Sequence, residues 1–276
     1  YAPAWQALGI RYYFDSQYSS GVEETFQKSN SSCERALALD PNLILAASQL
    51  ITNRVERGDL SKAYQSARTL VKRRPQSAQA HFTLGYVDRY AGLLEESSRE
   101  CDAALHLDPG NYLFRSCTWT FLYMGNTERA REYILVDAGS EWANWVMPQI
   151  LLREGKLKEA KEAVKKVPAG PRYHRDLTEA VLGVRPGAEL DRISQEDSTA
   201  LAAGDDPETA YQRGAELAYA GKKDAAVHML RIAIEQNYCA YSALENDPLL
   251  DKLRATPDFA DLLKAARFCQ EPLLAL

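Results

Sequence analysis

The sequence predicts an all-α chain, a superhelix of stacked helical hairpins that ends in a helical cap. Three observations predict it. Pro41, Pro75 and Pro109 recur at intervals of 34 residues. Gly58 and Gly92 each stand 17 residues ahead of the next of these prolines. Behind each glycine the same places recur, with Ala63 and Ser97 five residues on and Leu70 and Ala104 twelve residues on. A period of this length marks a supersecondary unit that cannot bury its apolar face alone and stacks against its neighbours.

Each element follows from local chemistry. In the unit from Asn42 to Pro75 the apolar spacing predicts a first helix over about Ile44–Arg57 and a second over about Leu60–Lys72. Gly58 supplies the positive φ that ends the first helix. Pro75 cannot continue the second, and its predecessor is pushed out of the helical region, so the chain turns. In the next unit Gly85 is placed to let its helix approach Ser97 and Ala104 closely. The fourth unit, from Gly110, keeps Gly125 and Ala130 with a short second helix. The fifth keeps Gly155 and Ala160, with Pro148 inside its first helix as an expected kink. The sixth places Gly214, Gly221, Ala226 and Ala233 at the same offsets.

These residues resemble the tetratricopeptide repeat. Trp5, Leu8, Gly9 and Tyr12, then His81, Leu84 and Gly85, and Ala36 with Pro41 fall on its pattern. The resemblance implies five helix pairs over 1–168, the first with an insertion at 15–32 and the fourth and fifth degenerate. A degenerate helical connector follows over 169–206, a sixth pair over 207–238 and capping helices over 239–276, split at Pro257. The tail, with Asp247, Pro248, Leu249, Leu253, Arg254, Pro257 and Phe259, is also similar to tails that follow such repeats in bacterial signalling proteins. Those carry Ser/Thr kinase, cyclase or DNA-binding regions, so this chain is expected to be the regulatory region of a larger protein or a scaffold in its own right. It begins at Tyr1 and reads as a piece of a longer, cytoplasmic protein.

Composition narrows the function classes. The formal net charge of −5, spread without long single-sign runs, gives no strong attraction for nucleic acid or anionic lipid. No stretch of about 18 apolar residues suggests a membrane span. The five cysteines, Cys33, Cys101, Cys117, Cys239 and Cys269, are odd in number and never in CxxC spacing. They predict neither a zinc site nor a disulfide framework, and a reducing compartment.

No catalytic constellation emerges. His174–Leu177 reads HRDL, but the position that a kinase loop fills with a metal-binding Asn is Val181. The four histidines, His81, His106, His174 and His228, lack metal-ligand spacing. The carboxylate pairs Glu95/Glu96 and Asp205/Asp206 lie in polar segments, where solvation explains them. An enzyme working from the 169–206 segment is the expectation least supported by these residues. No cofactor and no metal are expected.

A binding role is left. In the repeat family the first helices line a concave groove. The resemblance places Tyr13, Phe14, Gln49, Thr52, Glu56, Phe82, Tyr86, Arg89, Tyr90, Thr120 and Tyr123 there, with Gln6, Ile10, Gln79 and Thr83 beside them. The positions that grip a C-terminal carboxylate in one subclass hold no cation here, so that clamp is not expected. Aromatic side chains with polar tips anchor peptide or protein partners. The expected partner is therefore a protein or peptide laid in the groove.

Overall fold

The computed structural model describes residues 1–18, 22–170, 173–200 and 206–275, and within them the chain is helix and turn with no strand. Helices α1 (Ala2–Tyr18) and α2 (Val22–Leu39) form the first hairpin, and α3 (Ile44–Glu56) and α4 (Leu60–Arg73) the second. α5 (Ala78–Tyr90) pairs with α6 (Leu94–Leu107), and α7 (Thr118–Tyr123), entered through a 3-10 turn at Tyr112–Cys117, pairs with α8 (Thr127–Leu135). α9 (Glu141–Arg153) pairs with α10 (Leu157–Ala163), α11 (Arg175–Val181) with α12 (Gly187–Ser198), and α13 (Pro207–Tyr219) with α14 (Lys223–Glu235). α15 (Tyr241–Asn246) and α16 (Pro257–Leu274) complete the described chain.

Local chemistry sets these boundaries. Ser77, Asn126, Ser140, Asp206 and Thr256 each accept a backbone N–H of the first turn and so start α5, α8, α9, α13 and α16. The first and second helices of a hairpin approach most closely at glycine. A side chain at Gly85 would meet Ser97 O at 3.1 Å and Glu100 Cβ at 3.2 Å, and Ser97 Oγ donates to Gly85 O at 2.6 Å. A methyl group there would push the helices apart.

Several sequence expectations change. The extra length at 15–32 is not a loop where described: it lengthens α1 to 17 and α2 to 18 residues, against 13 and 14 in the second hairpin. Residues 19–21 lie outside the described set. α9 runs unbroken through Pro148. The connector forms a hairpin of its own: Gly183 takes φ 67° after α11, as Gly155 takes 70° after α9, while α11 packs on α13 and α12 on α14. Pro257 does not split two short helices. It sits in the first turn of the 18-residue α16, where its missing N–H has no intrahelical role.

The cysteine expectation is overturned. Cys101 on α6 is disulfide-bonded to Cys117 in the next hairpin, and Cys239 to Cys269 on α16, with Cα–Cα separations of 6.0 and 5.2 Å. Cys33 is free and buried. Sequence spacing could not show this, because folding brings the pairs together across 16 and 30 residues. Disulfides persist in oxidising compartments, so this pairing does not accord with a reducing one.

The C-terminal region also does more than cover the last hairpin. α16 packs on α14. The segment from Gln236 to Asp247 turns back and crosses the turns that end the first helices of earlier hairpins. Asn237 Nδ2 donates to Gly58 O at 2.9 Å, Cys239 N to Tyr90 O at 2.8 Å and Ser242 Oγ to Gly92 O at 2.9 Å. Gln270 Nε2 of α16 donates to Ala91 O at 3.1 Å. Arg153 at the end of α9 holds Asp247 with two bonds, of 3.0 and 2.7 Å, and both side chains are buried. The superhelix is strapped along one edge by its own tail.

Candidate functional site

The first helices carry a continuous run of polar aromatics. On α3 a spacing of three and four residues puts Gln49, Thr52 and Glu56 on one face, and on α5 two intervals of four do the same for Phe82, Tyr86 and Tyr90. Glu56 is the junction of these rows. Its Oε1 accepts from Tyr13 OH of α1 at 2.6 Å and from Tyr86 OH at 2.8 Å. The Tyr86 and Tyr90 rings stack with centroids 5.2 Å apart, and Phe82 lies 5.2 Å from Phe114.

At the inner end of this run the chain fills its own groove. Arg89 donates to Glu208 of α13 from Nε at 2.7 Å and from Nη2 at 3.0 Å, and both side chains are buried. The Arg89 guanidinium also lies 4.5 Å over the Tyr86 ring. Tyr90 OH donates to Asp206 Oδ1 at 2.7 Å. Tyr238 packs edge-on to Tyr90 at 5.1 Å and donates to Glu208 Oε1 at 3.3 Å. Gln212 Nε2 donates to Tyr123 OH at 3.3 Å, and Tyr123 packs against Tyr211 at 4.9 Å.

Electrostatics agree with this dry interior. Burial first, and then the Glu56 and Glu208 carboxylates, hold the Asp206 carboxyl well above its ordinary value. Burial, and then the nearby Asp206, push the Tyr90 hydroxyl up. Arg89 loses hydration by burial, and Glu208 more than compensates, so its affinity for the proton rises.

The sequence-predicted groove residues therefore divide. Glu56, Arg89, Tyr90, Thr120 and Tyr123 are buried by the chain itself. Thr120 Oγ1 lies 2.9 Å from Ser97 Oγ, in the packing between neighbouring hairpins. Tyr13, Phe14, Gln49, Thr52, Phe82 and Tyr86 stay partly exposed. Sequence reading missed Asp206, Glu208, Gln212 and Tyr238 as their partners. The acidic start of α13 was visible, but nothing local tied it to α5, more than a hundred residues earlier.

Several of the residues weighed for chemistry have structural partners. His174 Nδ1 lies 2.8 Å from Arg213 Nη1, and Arg213 pairs with Asp197 at 2.6 Å, tying α11 and α12 to α13. Asp176 pairs with Arg185 at 2.5 Å. His81 Nδ1 lies 2.6 Å from Glu100 Oε2, between α5 and α6, and His228 Nε2 lies 2.8 Å from Ala200 O. Asp205 lies outside the described residues. Among the described residues no group of three or more His, Cys, Asp or Glu could hold a metal ion, and no helix is long and apolar enough to cross a membrane.

No protein-family model matches the sequence, and no curated protein matches it. Solved structures match the fold. A thermophilic tetratricopeptide-repeat protein of Thermus thermophilus superposes with a TM-score of 0.51 at 18% identity, over 69% of this chain and 99% of that one. A chain of the Cut9–Hcn1 hetero-tetramer of the APC/C gives 0.60 at 16% identity, and this chain spans 94% of itself but only 54% of that chain. A tetratricopeptide-repeat protein of Parabacteroides merdae gives 0.50 at 12% identity, over 96% of this chain and 99% of that one. The fold is thus the all-α superhelix of tetratricopeptide-repeat proteins, here strapped by its own C-terminal segment.

Proposed function

We propose that this chain is a non-catalytic protein-interaction scaffold. Its partner is a peptide or protein segment laid across the first helices of the first three hairpins. The observation that supports this most is the partly exposed row of Tyr13, Phe14, Gln49, Thr52, Phe82 and Tyr86, which stays uncovered while α13 and Tyr238 of the tail seal the inner end. Aromatic rings with polar tips and amides next to them anchor backbone and apolar side chains at low entropic cost. The bonds from Tyr13 and Tyr86 to Glu56 hold two of these rings in place before any partner arrives, which reduces the ordering cost of binding. The same fold serves in an assembly of proteins, the Cut9–Hcn1 hetero-tetramer.

The test is selection of binding peptides from a randomised display library on the immobilised protein. Synthetic copies of the selected peptides are then titrated against variants. Thr52→Arg and Phe82→Ala should each weaken binding by about tenfold or more, the loss of one anchor, with circular dichroism unchanged. A selection that yields no class of peptides weakened by both variants would overturn the reading.

A further inference from the structure

A second surface, away from the concave face, is shaped for a different guest. Between the first two hairpins the apolar packing is divided. Cys33, Ala36, Ala46 and Leu50 form a small cluster of their own, apart from the main core to which Ile51 belongs. Along this division an open groove of about 810 Å³ runs between the end of α2, α3 and α4. Its floor is apolar, with Leu37, Leu43, Ile44 and Leu70, and its walls carry Arg54, Arg73 and Arg74.

The three arginines stand out by what they do not touch. Arg54 reaches Ser66 Oγ at 3.4 Å, and Arg74 reaches Asn42 Oδ1 at 2.6 Å. Among the described residues none of the three forms an ion pair, although arginines that link other neighbouring hairpins do: Arg129 with Asp102, and Arg131 with Glu154. A place in the last turn of a helix accounts for the presence of Arg54 and Arg73, because cations offset the helix dipole there. It does not account for three guanidinium groups from two helices and a turn meeting at one apolar groove.

Charge and shape together select the guest. A phosphate backbone would gain from the arginines but not from the leucine floor, and the chain as a whole repels it with a net charge of −5. An apolar guest without carboxylates would leave three cations without an anionic partner. We propose that this groove docks an acidic, amphipathic segment of a partner protein. Its Leu- or Phe-like side chains would lie on the floor, and its Asp or Glu carboxylates would take the guanidinium groups. This site does not depend on the concave-face reading.

The same display selection tests it with different variants. Arg73→Glu combined with Arg74→Glu changes two exposed side chains at the end of α4, and Ala47→Trp plugs the groove. The selection should yield a class of peptides rich in Asp and Glu with apolar residues at helical spacing. A fluorescein-labelled synthetic copy should lose about tenfold or more in affinity to each variant, the worth of one good charged or apolar anchor. Its binding should fall as salt is raised and should survive Thr52→Arg. Absence of an acidic class, or acidic peptides indifferent to the charge reversal in protein with an unchanged circular dichroism spectrum, would overturn the proposal. So would sedimentation showing a dimer of this chain that Ala47→Trp abolishes.

Discussion

Arg89 and Glu208 are 119 residues apart in sequence and meet inside the protein as a two-bond ion pair, at 2.7 and 3.0 Å. This pair converts a stack of hairpins, in which each unit needs only its neighbours, into a structure whose third hairpin also depends on its seventh.

Breaking the pair on one side should therefore cost far more than a surface substitution. Arg89→Met leaves the Glu208 carboxylate buried without its cation, and we expect a loss of about 3–5 kcal/mol in urea unfolding. Arg89→Met combined with Glu208→Leu should recover much of that loss, because no uncompensated charge is left. A double variant no more stable than either single one would mean that charge burial is not what the pair controls.

Gly92 and Gly155 both adopt positive φ, 71° and 70°, but only Gly92 lies under the strap. A side chain at Gly92 would come within 2.0 Å of Cys239 O, while nothing lies within 4 Å of one at Gly155. Gly155→Ala should cost about 1–2 kcal/mol, the left-handed backbone penalty alone. Gly92→Ala should cost distinctly more, and amide exchange at Cys239, whose N–H is bonded to Tyr90 O, should speed up only in that variant.

Glu216 gives a pH dependence with a defined sign. Burial raises its carboxyl from 4.5 to about 7, and Oε2 has no hydrogen-bond partner among the described residues. The folded state thus holds this proton more tightly than the unfolded chain. Its contribution is complete below pH 4.5 and is lost as pH rises through about 7. The gap corresponds to about 3 kcal/mol at about 1.4 kcal/mol per pH unit. Glu216→Gln should raise the melting temperature more at pH 8 than at pH 5. An equal effect at both would remove Glu216 as the group responsible.

The disulfides are open to direct counting. Protein unfolded without reductant should present one reactive thiol, Cys33, and five after reduction. Reduction should lower stability by about 3 kcal/mol for each bridge, because bridges closing spans of 16 and 30 residues restrict the unfolded chain. Five reactive thiols before reduction would sink the pairing.

The legible parts of this fold were those encoded locally. Proline and glycine punctuation, read with helical spacing, placed α3 and α4 to within a residue, at Ile44–Glu56 and Leu60–Arg73. Gly85 announced the close helix contact it makes with Ser97, because only a missing side chain permits that approach. For the candidate site, the repeat pattern brought Tyr13, Glu56 and Tyr86 onto one face. It said nothing of which residues on that face the chain itself covers.

By itself the sequence determined the helices and hairpin turns of the regular units, as in α3 and α4, since each of these depends on residues within one 34-residue period. Only the tertiary structure decided that Arg89, Tyr90 and Tyr123 are interior, that Cys101 meets Cys117, and that Gln236–Asp247 straps the edge. The physical reason is range. A turn or a helix is fixed by neighbours a few bonds away, whereas a buried ion pair forms only after the accumulated twist of several hairpins brings α13 back to α5.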